Sequence, residues 1–92
     1  MTYRIAYGKH IDLRRFRKIP KNDRQRILLM IEQKLREHPE IFGKPLRKSL
    51  IGHRSLRVGE YRVIFRIQET RVIIELIGHR STMYPEAGKL FS

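Results

Sequence analysis

The chain has no cysteine. That excludes a disulfide framework, a thiolate nucleophile, an iron–sulfur cluster and a zinc ribbon. No stretch approaches the roughly 18 consecutive apolar residues of a membrane span. The opening residues, MTYRIAYGKH, lack the apolar segment of a signal peptide, so the expected location is cytoplasmic. The motifs GxxxxGK[ST], GxGxxG, HExxH and GxSxG are all missing, and no pair of carboxylates is spaced for hydrolytic acid–base work. The four histidines, His10, His38, His53 and His79, do not have metal-ligand spacing. Neither a metal nor an organic cofactor is expected. Acidic residues are also scarce: 9 Asp and Glu stand against 21 Lys and Arg, for a net charge of +12.

What is present fits a single small domain spanning residues 1–92. A chain of this length buries roughly 60–65% of its unfolded surface, enough for one modest core. The composition, 40% hydrophobic and 33% charged, is that of a folding chain. Of the 21 cations, 14 are arginine, whose planar fork suits bidentate phosphate contact. A net charge this large on so small a body points to nucleic acid first and to an acidic protein second.

The apolar spacing changes period along the chain. Tyr3, Ile5 and Tyr7 alternate with polar neighbours and predict a strand over 2–7. Residues 9–18 predict a short helix burying Leu13 and Phe16, with Arg14, Arg15, Arg17 and Lys18 on its other face. Pro20 suits the start of a second helix, in which Ile27, Leu28, Ile31 and Leu35 recur at helical spacing. Pro39 should end it at His38. Residues 39–51, broken by Gly43 and Pro45, read as a loop. Three strands follow, at about 53–58, 61–68 and 71–79, joined by two-residue turns at Gly59-Glu60 and Glu69-Thr70. A last helical turn is expected beyond Pro85.

Two-residue turns set a register: Arg57 opposite Arg62, Ser55 opposite Ile64, His53 opposite Arg66, then Ile64 opposite Glu75 and Arg62 opposite Ile77. Side chains alternate between faces. One face carries Leu56, Val58, Tyr61, Val63, Phe65, Ile67, Val72, Ile74 and Leu76, with Arg54 as its one charged member. The other carries His53, Ser55, Arg57, Arg62, Arg66, Arg71 and His79, interrupted by Ile64, Ile73 and Ile77. Arg57 across from Arg62 is destabilising unless an anion lies between them. The predicted fold is α+β, in the order β-α-α-β-β-β: an antiparallel sheet with two helices packed on one face and a basic, concave and open opposite face. The exposed isoleucines on that face would suit an acidic, amphipathic partner segment.

The segment Leu56-Arg57-Val58-Gly59-Glu60-Tyr61-Arg62-Val63-Ile64-Phe65, followed by Ile77-Gly78-His79-Arg80-Ser81-Thr82-Met83-Tyr84, resembles the RelE/ParE toxin superfamily. Within it, Gly78-His79-Arg80 with Tyr84 is similar to the RelE-type branch. Element order and length match over essentially the whole chain. The resemblance implies a toxin that cuts mRNA in the ribosomal A site and is held inactive by a cognate antitoxin in a hetero-oligomer. It implies Arg62 and Arg80 as catalytic arginines and Tyr84 as the C-terminal site tyrosine. Some members carry a catalytic lysine where this chain has Ser55. A serine hydroxyl is a poor base at neutral pH, and Lys48, His53 and His79 are the candidates to stand in for it.

The residue types suit that chemistry on their own terms. RNA brings its own nucleophile, the 2′-OH. Attack on the adjacent phosphorus builds charge that fixed guanidinium groups stabilise, at roughly 3–4 kcal/mol per donor. A base takes the 2′ proton, an acid protonates the 5′-oxygen, and an aromatic such as Tyr84 stacks on a splayed base. Lys48, His53, Arg57, Arg66 and His79 complete the expected RNA-binding set, and no metal is needed. Two rivals remain at this level: a ParE-like toxin that inhibits DNA gyrase through protein contacts, and an RNA-binding relic without activity.

Overall fold

A computed structural model describes residues 2–91. The elements are β1 (Arg4–Tyr7), α1 (Leu13–Arg17), α2 (Lys21–Met30), α3 (Pro39–Phe42), β2 (Lys44–Pro45), β3 (Arg54–Val58), β4 (Tyr61–Gln68), β5 (Arg71–His79) and α4 (Arg80–Phe91). A π turn, Ile31–Leu35, prolongs α2, and a 3-10 turn, Lys48–Leu50, precedes β3. The strands form one sheet in the order β1-β5-β4-β3-β2. The α+β class stands. The sheet, however, is mixed and not wholly antiparallel, because β1 runs parallel to β5, with Ile5 beside Val72. Alternation in the first strand identifies it as a strand but carries no direction of pairing.

The helices begin where local chemistry allows. Asp12 caps α1 by accepting from the backbone N–H of Arg14 at 2.9 Å. The helix is shorter than expected, and Leu13 is 61% exposed, not buried, whereas Phe16 packs on the core. In α2 the spacing of Ile27, Ile31 and Leu35 brings all three to zero exposure. Pro39, expected only to stop that helix, also opens α3 at its first turn, where its missing N–H costs nothing. Part of the expected loop over 39–51 is therefore structured. Gly43 is needed there because a Cβ would lie 2.2 Å from the Phe65 ring. Arg54, the charged member of the face that carries Phe65, lies beside the edge strand β2. There its guanidinium donates to the carbonyls of Gly43, at 3.0 Å, and Glu40, at 2.8 Å.

One core lies between the sheet and α2: Ile27, Ile31, Leu35, Leu56, Val58, Val63, Phe65, Val72 and Ile74. Fully burying side chains of this size is worth about 1.5–3 kcal/mol each. A second core covers the opposite face, where Met83 and Ala87 of α4 close over Leu50, Ile64 and Leu76. The face expected to be concave and open is thus partly roofed by a helix of 12 residues, far longer than the single turn expected after Pro85. Ile64 and Ile73 are buried, and neither is available to a partner.

The first hairpin has the expected register, with Arg57 opposite Arg62 and Ser55 opposite Ile64. The second does not. Phe65 pairs with Ile74 while Ile64 pairs with Leu76, so Glu75 is an extra residue in β5. This bulge reverses the phase of everything after it. Leu76 moves to the α4 side, Ile77 moves to the α2 side, Gly78 comes opposite Arg62, and His79 comes opposite Tyr61. The expected pairs Ile64–Glu75 and Arg62–Ile77 do not form.

Candidate functional site

Where α4 stops short of β2 and the ends of β3 and β4, a groove of about 360 Å³ stays open. Lys44, Leu46, Ser55, Arg57, Arg62 and Tyr84 line it. β3 and β4 supply Ser55, Arg57 and Arg62 on one face of the sheet, and α4 brings Tyr84 down beside them. The Ser55 and Tyr84 hydroxyls lie 3.0 Å apart and hydrogen-bond. Arg62 is fixed at the hairpin: its Nη1 donates to the carbonyls of Gly59 and Tyr61, each at 2.9 Å. Gly59 adopts φ +59°, which turns its carbonyl at this hairpin without steric cost. Arg57 and Arg62 stand directly opposed, and among the described residues no carboxylate lines the groove. The arrangement is a cationic cleft with held donors, suited to a phosphate.

A buried carboxylate, Glu75, lies outside the groove. At the bulge, Glu75 lies 3.4 Å from Arg66 Nε and 3.7 Å from His53 Nε2. A side chain at Gly8 would strike it, since a Cβ there falls 2.3 Å from Glu75 Oε1. Glu75 is therefore not a partner of Arg62.

Of the expected site residues, Ser55, Arg57, Arg62 and Tyr84 come together. The others do not. His53 falls just before β3 and does not pair with Arg66; its side chain is mostly buried, with its ring 4.5 Å from that of Phe91. Arg66 is on the same side of the sheet, engaged with Glu75 and Gln68. Lys48 lies in the 3-10 turn, with φ +57°, and does not line the groove. His79 is carried by the bulge to the opposite face, where its ring edge meets Tyr61 at 5.7 Å and its Nδ1 lies 2.8 Å from Ser81 Oγ. Arg80 opens α4, and its guanidinium is hydrogen-bonded to the Glu60 carboxylate rather than lining the groove. That bond holds the Glu60 carboxyl below its ordinary range.

Lys44 and Leu46 lie in the segment expected to be loop, where no periodicity marks them. The one available signal was Pro45, since proline is tolerated in an edge strand. β2 is such an edge: it pairs Lys44 with Ser55.

Comparison with known proteins accords with this fold. The family described as "ParE toxin of type II toxin-antitoxin system, parDE" matches residues 12–84. The chain belongs to the ParE toxin family. Two curated relatives of the chain come from Mycobacterium tuberculosis. Toxin RelG is 42% identical over 52 residues, covering 54% of this chain and 60% of the relative. Toxin RelE is 40% identical over 52 residues, covering 54% of each. The chain thus spans little more than half the length of the curated relatives it matches. Among solved structures, the toxin–antitoxin complex RelBE2 from M. tuberculosis contains a chain 30% identical, with a TM-score of 0.78, covering 87% of this chain and all of that one. A free RelE variant from E. coli shares the fold over both full lengths at 19% identity, with a TM-score of 0.73.

Proposed function

We propose that this protein is the toxin of a toxin–antitoxin pair and acts as a RelE-type endoribonuclease on mRNA in the ribosomal A site. The observation that carries the proposal is the groove that holds opposed Arg57 and Arg62 beside the Ser55–Tyr84 hydroxyl pair. Two like charges face each other without a carboxylate, and a phosphodiester between them relieves the repulsion. In this reading the 2′-OH of the message attacks the adjacent phosphorus, leaving a 2′,3′-cyclic phosphate and a 5′-OH. Arg62, already held by two carbonyls, stabilises the charge that develops on the phosphoryl oxygens. Tyr84 flanks the groove from α4, where it can stack on a splayed base while its hydroxyl keeps Ser55 oriented. Arg80, paired with Glu60, must exchange partners before it can reach the phosphate, so its part is smaller than that of Arg62.

The partner that silences the toxin is a net acidic antitoxin, matching a charge of +12. The solved relative RelBE2 is itself a toxin–antitoxin complex. The ParE description of the family supports a second reading, inhibition of DNA gyrase by protein contacts. Single-turnover cleavage on programmed ribosomes separates the two. Arg62→Ala should cost at least about 100-fold in rate while the circular dichroism spectrum stays native, since the side chain lies outside both cores. Undiminished cleavage by folded Arg62→Ala defeats the assignment of the groove. Gyrase-linked DNA breaks without mRNA cleavage establish the rival.

A further inference from the structure

Resting on the nuclease reading, we infer that Lys44 is the general acid of this groove, giving its proton to the 5′-oxygen that leaves the phosphorus. The six lining residues narrow the choice. Arg57 and Arg62 hold their protons too tightly to transfer them. Leu46 has none to give. The Ser55 and Tyr84 hydroxyls bond to each other, and loss of a proton from either leaves an oxyanion beside the phosphate, whereas an ammonium leaves a neutral amine. The two histidines that might have served are out of place, His53 packed on Phe91 and His79 on the far face. Arg80 is tied to Glu60. Lys44 remains, and β2 sets it directly opposite Ser55. Cross-strand neighbours share a face, with Cβ atoms about 4.5–5.5 Å apart. Its flexible four-carbon stem is exposed and free to follow a moving phosphate.

A lysine side chain is an ammonium at neutral pH, so it enters as a proton donor. The step balances as follows. The 2′-oxygen bonds to phosphorus and releases its proton to solvent water. The phosphorus–O5′ bond breaks, its electron pair goes to O5′, and the Lys44 ammonium protonates that oxygen. The neutral amine then regains a proton from solvent.

The test uses the full-length protein, single-turnover cleavage on programmed ribosomes, and binding of a short RNA oligonucleotide across a salt series. Lys44→Ala should slow cleavage by about 100-fold, the low end for loss of a general acid. It should also flatten the slope of log affinity against log salt by roughly 0.7–0.9, one phosphate contact. Lys44→Arg should restore binding and slope yet leave cleavage slow, because arginine keeps the charge without giving up the proton. Added methylammonium should partly restore cleavage by Lys44→Ala. Lys44→Ala cleaving within about threefold of wild type, or Lys44→Arg cleaving at the wild-type rate, overturns the assignment and leaves the nuclease reading intact. A wild-type protein that cuts neither ribosome-bound nor free RNA overturns both.

Discussion

On one face of the sheet, Leu56, Val63, Phe65, Val72 and Ile74 meet Ile27, Ile31 and Leu35 across a continuous apolar contact. On the other, Leu50, Ile64 and Leu76 meet Met83 and Ala87 of a single helix, and the contact gives way to a cationic groove at its edge. The difference is one of purpose as well as size. The α2 face is apolar at its centre; its polar members stand at the margins, Arg54, whose charge is led out to backbone carbonyls, and His79 at the end of β5. The α4 face mixes a small core with a buried carboxylate, a half-buried tyrosine and opposed arginines. One face provides stability, while the other gives up stability to hold charges in fixed positions. The bulge at Glu75 separates the two patterns. It turns Leu76 toward α4 and Ile77 away from it, so that α4 has an apolar seat beside the basic strand ends.

The sharpest contrast comes from deleting one large side chain on each face. Phe65→Ala should destabilise the fold by about 3–5 kcal/mol, because the ring has zero exposure and packs against Gly43. Met83→Ala, only 1% exposed but in the smaller core, should cost about 2–3 kcal/mol. Urea unfolding measures both. Hydrogen exchange should add a qualitative difference: Met83→Ala accelerates exchange in α4 before the sheet, whereas Phe65→Ala accelerates it throughout. Equal and global effects would mean that the two faces do not unfold separately.

The α2 face was legible because periodicity dictates it. Ile27, Ile31 and Leu35 lie four residues apart, and the alternation in β3 and β4 up to Phe65 admits one phase. The first hairpin register followed from Gly59 and the two-residue turn. In β5 the signal fails for a physical reason. Val72-Ile73-Ile74-Glu75-Leu76-Ile77 is apolar on both sides of Glu75, so either phase buries as much surface, and a bulge leaves no trace in the pattern. A regular phase puts His79 on the wrong face and takes Leu76 away from its seat under α4. The bulge at Glu75 also places Arg80: it brings Gly78 opposite Arg62 and the Arg80 N–H onto the Glu60 carbonyl at 2.9 Å. In the groove, Arg57, Arg62, Ser55 and Tyr84 were readable from register and resemblance. Lys44 was not, since a two-residue edge strand containing proline has no periodicity to detect.

A smaller change tests whether α4 is bound to the groove or merely rests beside it. Tyr84→Phe removes one half of the Ser55–Tyr84 hydrogen bond and keeps the ring. The stability loss should be about 1 kcal/mol, the net value of one such bond. If the ring serves by stacking, cleavage should fall less than with Tyr84→Ala. Equal losses for the two variants would move the role of Tyr84 from its ring to its hydroxyl.

The smallest effect belongs to the exposed pair at the mouth of the first hairpin, and its sign is fixed. The hydrogen bond from Arg80, and then its charge, lowers the Glu60 carboxyl below the ordinary value of 4.5. A depressed folded-state value means that the unfolded chain binds the proton more readily. The pair therefore contributes fully above the ordinary carboxylate value and loses its contribution as pH falls below it. Solvent screening keeps the effect slight, since both side chains are well exposed. Glu60→Gln should melt slightly below wild type at neutral pH, and the two curves should converge once the pH is well below 4.5. The same variant frees the Arg80 guanidinium from its partner. If Arg80 has to leave Glu60 to take part in cleavage, Glu60→Gln should cut RNA at least as fast as wild type. Slower cleavage by a folded Glu60→Gln protein would mean that the pair holds Arg80 in its working position, and Arg80 would then belong to the groove together with Arg62.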